Sequence, residues 1–161
     1  MTRTDTMSRW GVGPVFAAGS IALVATLSAI NIFFLPTLTL SHNLVAFILG
    51  TGLMATGTAV LVVVLVQVHS AFGNRRLVTD GVYACMRDPV YAVWILLIVP
   101  GLALATGVLL VAIAPFLMYL LFKALIGKEE AYLEMTFGKE YLDYKKKVNS
   151  VIPKLLRRTK K

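Results

Sequence analysis

The chain has 161 residues, 58% of hydrophobic type and 15% charged, with a formal net charge of +8. Soluble domains carry nearer half apolar residues and a quarter charged ones, so this composition excludes an ordinary soluble domain. No Asp, Glu, Lys or Arg occurs in the 65 residues from Trp10 to Asn74 or in the 34 from Pro89 to Phe122, which leaves an all-α integral membrane protein of several spans.

A bilayer core about 30 Å thick takes roughly 20 helical residues per crossing. Span one is predicted over 11–35 and span two over 44–68, with Pro36 and the cap-forming Ser41 and Asn43 breaking and restarting the helix between them. So long an apolar run, joined directly to a second one, argues against a cleavable signal peptide. Gly50, Gly52 and Gly57 superficially resemble a glycine-rich nucleotide loop. They lie inside span two with no strand before them, so they predict close helix packing instead. His69 stands at the end of this span.

A polar loop over 75–91 leads into the second apolar run, which is short for two crossings. The reading is a tight hairpin, with spans over 89–105 and 107–127, Ala105-Thr106-Gly107 at its tip, and Lys123 extending its amine toward the surface. Pro100 and Pro115 fall inside the two arms and predict kinks, which membrane helices tolerate where neighbours satisfy the freed backbone groups. The tail, 128–161, is the one sizeable polar piece. Its first part continues the last span to a cap at Gly138. Tyr141, Tyr144, Val148 and Val151 then recur at helical spacing beside Lys145, Lys146 and Lys147, which predicts an amphipathic helix lying on the membrane surface until Pro153. The whole chain, 1–161, reads as one membrane domain.

Arg3 and Arg9 precede span one, Arg75, Arg76 and Arg87 lie between spans two and three, and the other eleven basic residues follow from Lys123 onward. An even number of spans puts all of these on one side, and the positive-inside rule makes it cytoplasmic, together with both termini. Topology and attraction to anionic lipid thus account for the +8 without nucleic acid. Two histidines, His42 and His69, fall on opposite sides and Cys85 is the sole cysteine, so neither a metal site nor a disulfide within the chain is expected.

Because span three begins where the loop ends and span four ends where the tail begins, the hairpin brings the two polar clusters together. A pocket there would present Arg87 for an anionic group, Glu129 and Glu130 for hydroxyls or an amine, Asp88 for a cation, and Tyr83 and Tyr91 for stacking. Each has a plainer reading: topology charges, a solvated helix face, aromatic residues of the membrane interface, and Pro89 in the first turn of a helix.

Thr79-Asp-Gly-Val-Tyr83, Arg87-Asp-Pro-Val-Tyr91, Glu129-Glu130, and Phe137-Gly-Lys-Glu-Tyr-Leu-Asp-Tyr144 through Val148 to Pro153 occur in this order around the apolar hairpin. Together they resemble the signature of the isoprenylcysteine carboxyl methyltransferase family, part of a broader group of membrane methyltransferases that includes phospholipid N-methyltransferases. The resemblance covers roughly residues 76 to 156. Val82 stands where the family has proline, and Asp88 where it has histidine.

What the resemblance implies is a site for S-adenosylmethionine, held by Glu129 and Glu130 with Tyr83, Arg87, Asp88, Pro89 and Tyr91. The acceptor it implies is a lipid-like or prenylated molecule entering from the bilayer. The sulfonium cofactor carries an activated methyl, so positioning dominates the chemistry. A carboxylate acceptor needs no base; an amine or phenol does, and His69 and Asp88 are the candidates, with Arg87 orienting the reactants. O-methylation of a carboxylate is the favoured expectation, phospholipid N-methylation the alternative. A non-enzymatic assembly protein or transporter subunit is the reading from another class.

Overall fold

The computed structural model of the protein describes residues 11–39, 43–73 and 76–153. Arg3, Arg9, Ser41, His42, Arg75 and the basic end from Lys154 onward lie outside the described residues. Among the described residues, four helical segments are long and apolar enough to cross a membrane: Gly13–Phe34, Leu44–Ser70, Pro89–Thr106 and Leu109–Phe137. The protein is a multi-pass, all-α membrane protein.

Helix α1 (Gly13–Phe34) starts with Pro14 in its first turn, where the missing N–H costs no helical bond. It ends before Pro36, which opens a 3₁₀ turn over Pro36–Leu38. Helix α2 (Leu44–Gly73) begins at Asn43, whose Oδ1 accepts from the backbone N–H of Val45 at 2.9 Å and of Ala46 at 3.4 Å. That is the capping role its position predicted.

The prolines disturb both arms of the hairpin, each by a change of helix type. The third span is α3 (Pro89–Val93), a π-helical stretch over Trp94–Ile98, and α4 (Val99–Thr106). Pro100 offers no N–H and its ring crowds the carbonyl four residues back, so the turn before it widens to i→i+5 bonding, with Val99 N–H donating to the Trp94 carbonyl. Likewise, a 3₁₀ segment at Leu109–Ile113 precedes α5 (Ala114–Phe137), which places Pro115 in a first turn. The arms therefore change helix type at the prolines, and α5 continues beyond the span to end at Gly138, as the tail reading predicted. Gly107 forms the tip at φ +70°, a left-handed position that favours glycine.

Gly138, at φ +53°, ends α5, and its N–H donates to the Glu134 carbonyl at 2.8 Å. Helix α6 (Lys139–Lys147) follows and stops six residues before Pro153. Its apolar face does not rest on lipid as predicted. Tyr141, Tyr144 and Val148 are buried with Leu77 of the polar loop, against Leu133 and Phe137, and Val151 joins the main core. An apolar stripe finds its nearest partner, and here the partner is the protein's own loop.

The packing explains where chemistry can sit. Helix α1 packs on α5, while α2 packs on α3, the π stretch and α4, with no extensive α1–α2 contact among the described residues. Each early span thus takes one arm of the hairpin. On α2, Gly50 and Gly57 let the backbones approach: a methyl on Gly50 would fall on the Ala105 amide and Gly101 carbonyl, and one on Gly57 would lie 2.9 Å from Ile98. Gly52 meets nothing within 4 Å, so two of the three glycines are packing residues. At the tip end, fully buried Asn31 donates to Thr39 Oγ1 at 2.9 Å and accepts from the Leu110 N–H at 3.1 Å, beside an isolated Thr39–Val108 bridge. This ties both tip-side connections to α1.

Candidate active site

The other end of the hairpin holds the charged groups. A short 3₁₀ turn (Gly81–Ala84) and residues 85–88 deliver Arg87 and Asp88 to the start of α3, and the final turns of α5 deliver Glu129 and Glu130. The segment after α6 closes over them. Arg87 N–H donates to the Asn149 carbonyl at 2.8 Å and Asp88 N–H to that of Ser150 at 3.1 Å, while the Tyr144 hydroxyl donates to the Tyr83 carbonyl at 2.7 Å. These backbone bonds hold the loop and tail as one unit.

The side chains form three linked groups. Arg87 Nη2 donates to Glu130 Oε1, whose other oxygen accepts from Lys145 Nζ at 2.8 Å. Glu129 Oε2 accepts from the Tyr91 hydroxyl at 2.8 Å. Asp88 Oδ2 accepts from the Ser150 hydroxyl at 2.6 Å and lies 3.6 Å from Arg87 Nε. That last separation exceeds a hydrogen bond, which leaves Arg87 Nε buried without a partner, as is the Tyr141 hydroxyl. The guanidinium carbon sits 6.0 Å from the centroid of the Tyr141 ring. Tyr91 is wedged between Phe16 and Phe122, with ring centroids 4.9 and 5.0 Å away.

Burial dominates the electrostatics of the loop and tail. Desolvation holds the Asp88 carboxyl above the usual Asp range; the Ser150 hydrogen bond and the Arg87 charge pull it back, and Glu130 pushes it further up. Burial likewise raises the phenols of Tyr83, Tyr141 and Tyr144, with nearby carboxylates adding to it. All three remain neutral donors at physiological pH.

Of the residues singled out from sequence, Arg87, Asp88, Tyr91, Glu129 and Glu130 come together, with the backbone of Tyr83 and the buried ring of Pro89 beside them. Asp88 precedes α3 but makes no side-chain cap bond to it, so its carboxylate turns toward Ser150 instead of the helix. His69 does not join them. It is exposed, and no hydrogen bond or ion pair links it to the cluster among the described residues. Two positions earlier on α2, Gln67 faces the loop: a Cβ on Gly81 would collide with its amide, and its Oε1 is buried without a partner. Gln67, Lys145, Ser150 and Tyr141 were not read as site residues. The one available signal was a lone amide in an apolar span, since the other three show ordinary tail spacing.

Residues 43–135 match the model of the isoprenylcysteine carboxyl methyltransferase family. The chain is 40% identical over 88 residues to a protein-S-isoprenylcysteine O-methyltransferase of Schizosaccharomyces pombe, covering 50% of this chain and 34% of that protein. It is 38% identical over 80 residues to one from Dictyostelium discoideum, with 50% and 34% coverage. A probable protein-S-isoprenylcysteine O-methyltransferase of Oryza sativa subsp. indica is 32% identical over 80 residues, with 50% and 42% coverage. The match therefore spans about a third to two-fifths of the length of these relatives. No solved structure matches the chain.

Proposed function

The chain belongs to the isoprenylcysteine carboxyl methyltransferase family, and from that premise we propose that it transfers a methyl group from S-adenosylmethionine to the carboxylate of a prenylated or similarly lipid-like acceptor. The observation that carries this reading is the pair Glu129 and Glu130, each anchored by a different partner at the charged foot of the hairpin. A donor with ribose hydroxyls, an ammonium and a carboxylate needs acceptors and donors side by side. The cluster supplies acceptors in Glu129, Glu130 and Asp88, and two buried donors without partners, Arg87 Nε and the Tyr141 hydroxyl. That orphaned pair supports the fit, because a buried donor left unpaired costs about 1–3 kcal/mol unless a ligand satisfies it.

Bound there, S-adenosylmethionine would supply an activated methyl. Glu129 and Glu130 hold hydroxyls, Arg87 holds a carboxylate, and Asp88 faces an ammonium. Tyr91 keeps Glu129 in place, and α6 with Ser150 excludes water from above. A carboxylate acceptor requires no proton to be removed. The state of the two possible bases favours it over phospholipid N-methylation: Asp88 is committed to Ser150, and His69 stands outside the cluster. The acceptor would reach this end from the bilayer, with the site and both termini on the cytoplasmic side.

Calorimetry with S-adenosylhomocysteine on the purified chain tests the reading. Binding that disappears in the Glu129→Ala/Glu130→Ala variant is expected; no heat on folded protein would sink it in favour of a non-enzymatic membrane role. A methyl-transfer assay comparing a prenylated cysteine with a free carboxylate, its methyl ester, and a primary-amine phospholipid then separates the acceptors. Turnover of the amine lipid alone would select the alternative.

A further inference from the structure

The start of the first span reaches the charged cluster from the far end of the sequence. Val12, the N-cap residue of α1, is buried against the main core. Gly11, just before it, sits at φ +55°, and a Cβ there would lie 2.9 Å from both Glu129 Cδ and Oε2. One turn later in α1, Phe16 packs edge-on against Tyr91, the residue that donates to the same carboxylate. One short stretch thus sets how closely the Glu129 carboxylate is approached and packs the ring of the tyrosine that donates to it.

We propose that Gly11 is a positioning residue for Glu129, so that the start of the first span is part of the donor-binding site. A carboxylate offers about four acceptor positions. Tyr91 occupies one, and the bare Gly11 backbone leaves the carboxylate room to keep that bond while offering the rest to ligand hydroxyls. Pre-organisation of this kind raises affinity by removing an ordering cost at the moment of binding. Glycine at 11 is required twice: for the left-handed backbone, and because any side chain would push the carboxylate off its Tyr91 donor.

The proposal rests on the reading of Glu129 as a donor-binding residue. Its test uses three single variants of the whole chain in detergent, with S-adenosylhomocysteine affinity and the apparent unfolding midpoint measured on each. Gly11→Ala has both the strain and the contact, Gly138→Ala has similar left-handed strain with nothing within 4 Å, and Gly13→Ala has neither. Gly11→Ala is expected to weaken binding about tenfold or more, with a midpoint no lower than that of Gly138→Ala; the other two should bind as the unchanged chain does. Affinity within twofold for Gly11→Ala overturns the proposal. So does a midpoint well below that of Gly138→Ala with affinity lost in parallel, which would assign Gly11 to folding. Glu129→Ala separates the two levels. If it leaves affinity intact, the donor-site reading fails; if it abolishes binding while Gly11→Ala is harmless, only the positioning role fails.

Discussion

The Ser150 hydroxyl donates to Asp88 Oδ2 at 2.6 Å while the Ser150 carbonyl accepts the Asp88 N–H at 3.1 Å, so one tail residue grips both the side chain and the backbone of the residue that opens the third span. Through it, a segment far along the chain determines what the loop can present. It also gives the departure from the family's usual histidine a physical setting: an aspartate here has a hydroxyl donor waiting for it.

The raised pKa of Asp88 makes stability depend on pH. Its folded-state value lies above the ordinary Asp value of about 3.9, so the folded protein binds the proton more tightly than the unfolded chain. The stabilising contribution is complete below the unfolded value, and is lost as pH rises through the folded one. Thermal unfolding midpoints of the unchanged chain and Asp88→Asn, compared from about pH 4 to 7, are expected to diverge in favour of the variant as pH rises. Parallel curves would mean that the carboxyl is not desolvated as the structure indicates.

Arg87 and Lys145 both contact Glu130, yet their replacement should differ in cost. The Arg87 side chain is 9% exposed and that of Lys145 36%. Breaking a buried pair costs about 3–5 kcal/mol, reduced here because Glu130 is itself partly exposed and keeps Lys145. An exposed pair is worth about 0–1 kcal/mol. Arg87→Lys also loses the planar guanidinium that donates to Glu130 while keeping its charge beside Asp88. Denaturant titration should rank Arg87→Lys well below Lys145→Ala in stability; equal losses would show the Arg87 pair to be solvent-screened.

The two glycines of α2 offer a paired test of packing. Gly50→Ala places a methyl against the backbone of Ala105 and Gly101, with no flexible side chain able to yield. Overpacking of this kind costs about 1–3 kcal/mol. Gly52→Ala meets open space and should be neutral or slightly stabilising in a helix. Midpoints of the two variants in the same detergent check the difference, and similar values would remove Gly50 from the α2–α4 contact.

Orientation can be read with the native thiol. Cys85 is exposed on the charged side, so a membrane-impermeant maleimide applied to intact cells should leave it unlabelled and reach it once the membrane is opened. A cysteine at Thr106, on the hairpin tip, in a Cys85→Ser background should behave in the opposite way. Labelling of Cys85 from outside would place the cluster on the other face of the membrane.

Hydropathy, charge and the cap and turn residues determined the four spans, the hairpin and its Gly107 tip, the Asn43 and Gly138 caps, and the meeting of Arg87, Asp88, Tyr91, Glu129 and Glu130 at one end. These are local or topological consequences: apolar length sets a crossing, and a crossing and its return bring their flanking segments together. Only the tertiary structure decided the rest. Pro100 could be absorbed by a π turn as well as by a kink, and the choice depends on what packs against the freed carbonyls. The apolar stripe of Tyr141, Tyr144 and Val148 suits lipid and protein equally, and Leu77 settled the matter by lying closer. His69 and Gln67 are both polar residues near the end of one helix, two positions apart and so pointing to different sides; which of them meets the loop depends on the rotation of α2 against the hairpin, and that rotation is set by the close approach at Gly50 and Gly57. The close approach of Gly11 to Glu129 has no sequence signal at all, because a glycine just before an apolar run reads only as a helix start, and what lies across from it is decided by the fold.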